Sequence, residues 1–173
     1  GDGAAAALLE SDPSTDPDLA SGILGFRLAS VGELADSLVV PGGGSRQPAS
    51  VEMVENRDQF LKMDGRTVFK WAVRLIPDIV KESVEQANLT MDDLKLLIFH
   101  QANQRILKAA TEDLAIDPEK IFMNVDKYGN TSAASVAISV HEAVLNGQIQ
   151  KGDHVLLAGF GAGLTWASCI FRW

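Results

Sequence analysis

Three apolar runs set at equal intervals constrain this chain more than any other feature. Leu96-Leu97-Ile98-Phe99, Ile121-Phe122-Met123-Asn124-Val125 and the run over 153–159 each read as a strand. They end at His100, Asn130 and Phe160, so strand ends recur every 30 residues. About 30 residues is the length of one βαβ unit. Right-handed crossovers then bring all three ends to one C-terminal rim of a parallel sheet, where open α/β folds collect their polar groups.

The segments between the strands have helical periodicity. Arg66 to Ala87 places Val68, Phe69, Ala72, Val73, Ile76, Ile79, Val80 and Val84 on one face, with Pro77 predicting a kink or break. A second helix runs from about Asn103 to Leu114 with Ile106, Leu107, Ala110 and Leu114 inward. A third spans Thr131 to Leu145 and stops at Asn146-Gly147. Its first turns carry Ser132, Ala133, Ala134, Ser135 and Ala137, small enough for very close packing. From residue 66 the order is α-β-α-β-α-β-β, which implies a mostly parallel sheet covered by helices. The strand over 165–172 follows its predecessor after only Phe160 to Leu164, so it pairs antiparallel.

The N-terminal region speaks less clearly. Ala4 to Leu9 and Ile23 to Ala29 read as strands, separated by the turn-rich Ser11-Asp12-Pro13-Ser14-Thr15-Asp16-Pro17. Pro41-Gly42-Gly43-Gly44 marks a flexible lid or binding loop. The sequence divides at residue 64: 1–64 hold the connecting strand and loops, and 65–173 carry the α/β unit. The chain starts Gly1-Asp2-Gly3 and its first methionine is Met53, as expected of part of a longer polypeptide.

Composition removes several classes of function. A net charge of −8 argues against nucleic acid or an anionic membrane as the main partner. No apolar run approaches the ~18 residues of a membrane span. One cysteine, Cys169, allows no intrachain disulfide and suits a reducing cytosol; set mid-strand among apolar neighbours, it reads as a buried small hydrophobe. Nucleophile-elbow, P-loop and zinc patterns are missing, so no metal is expected. Gly159-Phe160-Gly161-Ala162-Gly163 is followed by a strand rather than a helix, which rejects a dinucleotide turn. It can still aim backbone N–H groups at a developing oxyanion.

Singly, each rim residue has an ordinary explanation. His100 could be structural, Asn130 a helix cap and Phe160 core. Together they form a candidate site in which an imidazole and a carboxamide donate to one oxygen. Lys70, Arg74, Arg105 and Lys108 form two basic pairs on adjacent helices, either a solvated face or a docking patch for an acidic partner.

At His100-Gln-Ala-Asn103, Gly129-Asn130-Thr-Ser-Ala-Ala-Ser135 and Gly161-Ala-Gly-Leu-Thr-Trp166, the sequence resembles the β-ketoacyl-acyl carrier protein synthase III family. Gly1-Asp2-Gly3-Ala4 resembles the segment closing that family's first half, and Met63 to Lys70 its substrate-tunnel helix. The resemblance implies an α/β, thiolase-like fold, present here as one half. It implies a condensing enzyme that joins acyl-CoA, typically acetyl-CoA, to malonyl-acyl carrier protein and starts fatty acid synthesis.

By the same resemblance, His100 and Asn130 are catalytic and hydrogen-bond the malonyl thioester carbonyl, while the Ala162 backbone N–H serves an oxyanion hole. Gly65, Phe69, Ala102, Asn103, Ile106 and Phe160 match substrate-tunnel positions, and Arg105 with Lys70 the carrier-protein docking surface. No cofactor is implied, since CoA and the carrier's phosphopantetheine act as substrates. The implied partners are the enzyme's N-terminal half, which holds the nucleophilic cysteine, and a second copy in a homodimer. The implied compartment is the cytoplasm, or the plastid stroma in a plant.

Two positions depart from the family pattern. The common triple-glycine turn is Gly161-Ala162-Gly163, which keeps its donor only if residue 162 needs no positive φ. Glu112-Asp113 replaces a basic pair found in some members past Arg105. A related condensing enzyme of secondary metabolism or long-chain ketone formation, and a non-catalytic remnant, are the competing readings.

Overall fold

A buried central strand organises the molecule. In the computed structural model, which describes residues 1–11, 21–112, 114 and 116–173, β4 spans Leu94–Phe99. Its side chains alternate between two cores, with Leu97 and Phe99 on one face and Leu96 and Ile98 on the other. Before it come β1 (Gly22–Ser30), α1 (Val51–Glu55) and α2 (Gly65–Gln86), with the two-residue strands β2 (Leu38–Val39) and β3 (Lys62–Met63). After it come α3 (Gln104–Glu112), β5 (Ile121–Phe122), α4 (Val125–Tyr128), α5 (Ala134–Leu145), β6 (His154–Gly161) and β7 (Thr165–Arg172).

The main sheet has the order β1-β7-β6-β4-β5. β4 pairs parallel with β5 and β6, and β7 pairs antiparallel with both β6 and β1. All strands of this sheet but β7 therefore share one direction, and β2 and β3 pair antiparallel in a separate two-stranded sheet. The mostly parallel sheet with an antiparallel last strand is what the alternation predicts. Because β1 joins this same sheet, residues on both sides of the expected division at 64 contribute to it.

Helices cover both faces. α2 and α3 pack with Ile76, Ile79, Val80 and Leu107 against Leu97, Phe99, Leu156 and Ile170. α5 brings Ala143, Val136 and Val140 onto Leu96, Ile98 and Val155. The Asp64 carboxylate starts α2 by accepting from the backbone of Arg66 and Thr67 at 3.1 and 3.2 Å. Pro77 neither breaks nor ends the helix, which continues to Gln86. Asn88, at φ 54°, turns the chain out of it. A buried 2.7 Å hydrogen bond between the Ser83 and Ser168 hydroxyls ties α2 to β7.

The remaining differences from the sequence reading have local causes. The strand expected over 120–125 stops at Phe122 because the Gln101 side chain replaces the ladder. Its Nε2 donates to the Phe122 carbonyl at 3.2 Å, and its Oε1 accepts from the Asn124 backbone at 3.0 Å. The helix expected from Thr131 begins at Ala134, since residues 130–132 are taken up by a turn with Ser132 at φ 52°. Ala4 to Leu9 forms no strand, and its side chains, Leu8 and Leu9 included, are exposed rather than buried as expected. The Pro41–Gly44 loop is pinned, with Gly42 donating to Asp58 and Gly43 to Gln47, both at 2.9 Å. From residue 12 on, the turn expected at Ser11–Pro17 lies outside the described residues, as does Asp113.

Candidate active site

His100 is the first residue past β4. Its backbone N–H donates to the Ala158 carbonyl at 2.8 Å, which carries the β4–β6 register one residue beyond the strand. Its imidazole Nδ1 lies 2.7 Å from the Ser135 hydroxyl in the first turn of α5. The edge of Phe160, from the end of β6, meets the ring at a centroid distance of 5.5 Å and an angle of 78°. Trp71 of α2 stands edge-on behind Phe160 at 6.2 Å. Burial without a charged partner pushes the His100 pKa down, so the ring is neutral at physiological pH.

Asn130 occupies the loop between α4 and α5. Gly129, at φ 69°, ends α4 and turns the chain toward the rim. The Asn130 Oδ1 accepts from the Ser132 backbone N–H at 2.8 Å, an Asx turn that fixes the carboxamide and leaves its NH₂ end to donate outward. The Asn130 carbonyl accepts from the Gly1 backbone nitrogen at 2.8 Å. Any side chain at Gly1 would place a Cβ 2.0 Å from the Tyr128 carbonyl oxygen, so only glycine allows this approach.

His100 and Asn130 thus belong to one corner, joined through the first turn of α5: Ser135 bonds to Ser132 through the backbone, and Ser132 to Asn130. Gln101 locks that corner and was not singled out from the sequence. Fully buried, it donates to Phe99 and Phe122, accepts from Asn124, and gives its backbone N–H to Ser135 Oγ at 3.3 Å. Its position between an apolar strand and Ala102 is the signal that could have marked it. A polar residue there is buried and must satisfy its hydrogen bonds.

The other candidates scatter more widely. Ala162 lies in the β6–β7 hairpin, exposed, and its φ is not positive; Gly163 takes that conformation at 133°. The turn accepts an alanine for that reason. Gly65 opens α2 and Phe69 is exposed on its second turn. Ala102 is half-buried, and Asn103 caps α3 by accepting from Arg105 N at 2.8 Å. Ile106 is buried in the core beneath α2. Lys70, Arg74, Arg105 and Lys108 are all exposed, and none has an ion pair among the described residues. Cys169 sits in β7 opposite Leu157 and Phe26, and burial pushes its thiol pKa up, opposite to what a nucleophile requires.

An α/β layer of this topology is shared with thiolase-like condensing enzymes of known structure. The β-ketoacyl-[acyl carrier protein] synthase III of Thermus thermophilus superposes with a TM-score of 0.79 at 43% identity, covering 88% of this chain and 46% of that one. The family described as 3-oxoacyl-[acyl-carrier-protein (ACP)] synthase III C terminal matches residues 84–173. This chain belongs to that family. Among curated relatives, the β-ketoacyl-[acyl-carrier-protein] synthase III of Rhodopirellula baltica is 44% identical over the whole chain and 54% of its own length. That of Caldanaerobacter subterraneus is 47% identical over the whole chain and 51% of its own length. The chain spans about half the length of the curated relatives it matches. No helix among the described residues is long and apolar enough to cross a membrane.

Proposed function

We propose that this chain forms the C-terminal half of a β-ketoacyl-acyl carrier protein synthase III, and that His100 and Asn130 stabilise the enolate formed when malonyl-acyl carrier protein loses CO₂. One observation carries the reading. Each residue has one polar atom held by the protein, Nδ1 by Ser135 and Oδ1 by Ser132. Among the described residues, each is left with a nitrogen free to act as donor. Two fixed donors aimed at one carbonyl oxygen are worth most when that oxygen gains negative charge.

In this reaction the enzyme's other half supplies a cysteine thiolate. It attacks the acyl-CoA carbonyl, expels CoA as its thiolate and keeps the acyl group as a thioester. Malonyl-acyl carrier protein then binds with its thioester oxygen between His100 Nε2 and Asn130 Nδ2. The bond to the carboxylate breaks, CO₂ leaves, and its electron pair becomes the enolate. That carbanion attacks the acyl thioester carbonyl and forms the new carbon–carbon bond; collapse of the tetrahedral intermediate breaks the carbon–sulfur bond and returns the cysteine thiolate. The backbone N–H of Ala162 serves the oxyanion of the acyl-transfer steps. Gly65, Phe69, Ala102, Asn103, Ile106 and Phe160 line the pantetheine path, Ile106 and Phe160 from below.

Arg105 and Lys70 receive the carrier protein, which their exposure and freedom from ion pairs among the described residues support. The enzyme needs no cofactor beyond these substrates and works in the cytoplasm as a homodimer. Exposed apolar side chains on β1 (Ile23, Phe26, Leu28) and α5 (Leu145) support a covering partner.

The test uses the complete synthase. His100→Ala and Asn130→Ala each lower malonyl decarboxylation and condensation by about 10²–10³, the usual loss for one oxyanion donor. Acyl loading from acyl-CoA stays near the wild-type rate. Equal loss of loading and decarboxylation overturns the assigned roles. The isolated 173-residue chain loads no acyl group, and loading abolished by Cys169→Ser would overturn the half-enzyme reading.

A further inference from the structure

The Ser135 hydroxyl has neighbours that decide where its proton goes. Ser135 is the second residue of α5 and is 2% exposed, so no solvent completes its hydrogen bonding. Its Oγ faces two nitrogens, the Gln101 backbone N at 3.3 Å and His100 Nδ1 at 2.7 Å. The Gln101 N–H can only donate, so it occupies one Oγ lone pair. A hydroxyl has a single proton, and a neutral imidazole has one donor and one acceptor nitrogen. Among the described residues, Nδ1 is the acceptor within reach of that proton. The opposite assignment, with Nδ1–H donating, would give Oγ two donors and leave its own proton buried without a partner, which is unfavourable.

We propose that Ser135 is a positioning residue: its hydroxyl donates to Nδ1 and holds His100 as the Nε2–H tautomer. The other neighbour of the ring, Phe160, meets it edge-on, offers no hydrogen bond and so cannot choose between tautomers. Gln101 has a part in the choice, because its N–H fills one Oγ lone pair without taking the hydroxyl proton, which is left for Nδ1. In the Nε2–H tautomer, His100 presents a donor to the rim. In the other it presents a lone pair, which repels a developing enolate. The catalytic consequence rests on the function proposed above, but the tautomer does not.

The test is the imidazole ¹⁵N spectrum of the 173-residue chain labelled at histidine. Its three histidines, His100, His141 and His154, are assigned by single substitution of the latter two. Wild type shows His100 with a proton-bearing Nε2 and a bare Nδ1; a proton on Nδ1 overturns the proposal. Ser135→Ala converts His100 to a mixture of tautomers while His141 and His154 keep their shifts. An unchanged Nε2–H signal in that variant also overturns it. Where the alanine variant fails to fold, Ser135→Cys is substituted, and its weaker thiol donor gives a partial mixture.

In the complete synthase, Ser135→Ala lowers kcat for malonyl decarboxylation by about 10-fold or more, because only the donor tautomer stabilises the enolate. It leaves acyl loading unchanged, and Ser135→Thr, which keeps the hydroxyl, recovers activity. A tautomer shift in the spectrum with no change in decarboxylation upholds the Ser135 bond and instead defeats the malonyl role of His100.

Discussion

Tyr128 donates its phenolic hydrogen to Glu142 Oε1 across 2.6 Å, tying the residue two before Asn130 to the third turn of α5. Asn124 Nδ2 donates to the other oxygen at 2.8 Å, and Lys127 completes an ion pair with the same carboxylate. Asn124 in turn accepts from Ser139 and gives its backbone N–H to Gln101. The hydrogen bonds therefore run without a gap from Glu142 through Asn124 and Gln101 to Ser135 and His100. α4 and the loop after it are held from the side of the helix rather than from the sheet.

The bonds from Asn124, Lys127 and Tyr128 pull the Glu142 pKa down from 4.5 to about 2. A depressed carboxyl stabilises the fold above its unfolded value, and that contribution is lost as pH falls from about 4.5 toward 2. Tyr128→Phe removes one donor and costs about 1 kcal/mol at pH 7. Glu142→Gln flattens the acid limb of stability. Urea unfolding at pH 7, 4 and 3 measures both effects, and an acid limb identical to wild type in Glu142→Gln would refute the link.

His100 titrates below the ordinary 6.5 because burial disfavours its cation. Its neutral form is the one the fold holds, so its contribution is complete above pH 6.5 and is lost as pH falls through the depressed value. Proton NMR of the C2 hydrogens reads the pKa directly. His100→Gln removes this part of the pH dependence, while a His100 midpoint at or above 6.5 would contradict it.

Gly161 and Gly163 flank Ala162 but tolerate substitution differently. A Cβ on Gly161 meets nothing within 4 Å, whereas one on Gly163, at φ 133°, falls 2.4 Å from Thr165 Cγ2. Gly163→Ala should destabilise by about 1–3 kcal/mol, the usual cost of a disfavoured backbone region. Gly161→Ala stays within about 0.5 kcal/mol of wild type. Paired thermal melts decide the matter, and equal melting temperatures for the two variants would count against this turn geometry.

The basic residues of α2 and α3 make a prediction about salt. With Lys70 and Arg105 both reversed to Glu, KM for malonyl-acyl carrier protein rises about 10-fold at low ionic strength, and the difference shrinks as salt screens the encounter. Loading from a short, uncharged acyl thioester is unaffected. Unchanged KM for the carrier-protein substrate would place its docking elsewhere.

The regular parts of the fold could be read from periodicity, and the irregular parts could not. β4, β6, β7, α2 and α3 sit within a residue or two of where apolar spacing puts them, because burial on one or two faces is what that spacing records. Pro77 misled only about continuity. One missing backbone donor and one steric contact did not outweigh the burial of Ile76, Ile79 and Val80. β5 and the start of α5 were over-extended because Gln101, Asn130 and Ser132 use side chains to replace backbone pairing, and polar side-chain contacts leave no period in a sequence. His100 could be located by strand arithmetic, whereas Asn130 lies eight residues past the end of β5 with α4 between them, and the hydroxyl that engages His100 lay among small residues that read only as packing.

β7 carries a constraint on the order of assembly. It lies between β6, its immediate predecessor, and β1, whose Gly22 it pairs through Arg172. In chain order β1 is the first strand of this sheet and β7 the last, so β1 stays without its ladder until β7 forms. Such long-range closure is slow and entropically costly. A chain arrested before β7 therefore carries the backbone N–H and C=O groups of β1 without a ladder, so closure of the whole sheet waits on its last strand.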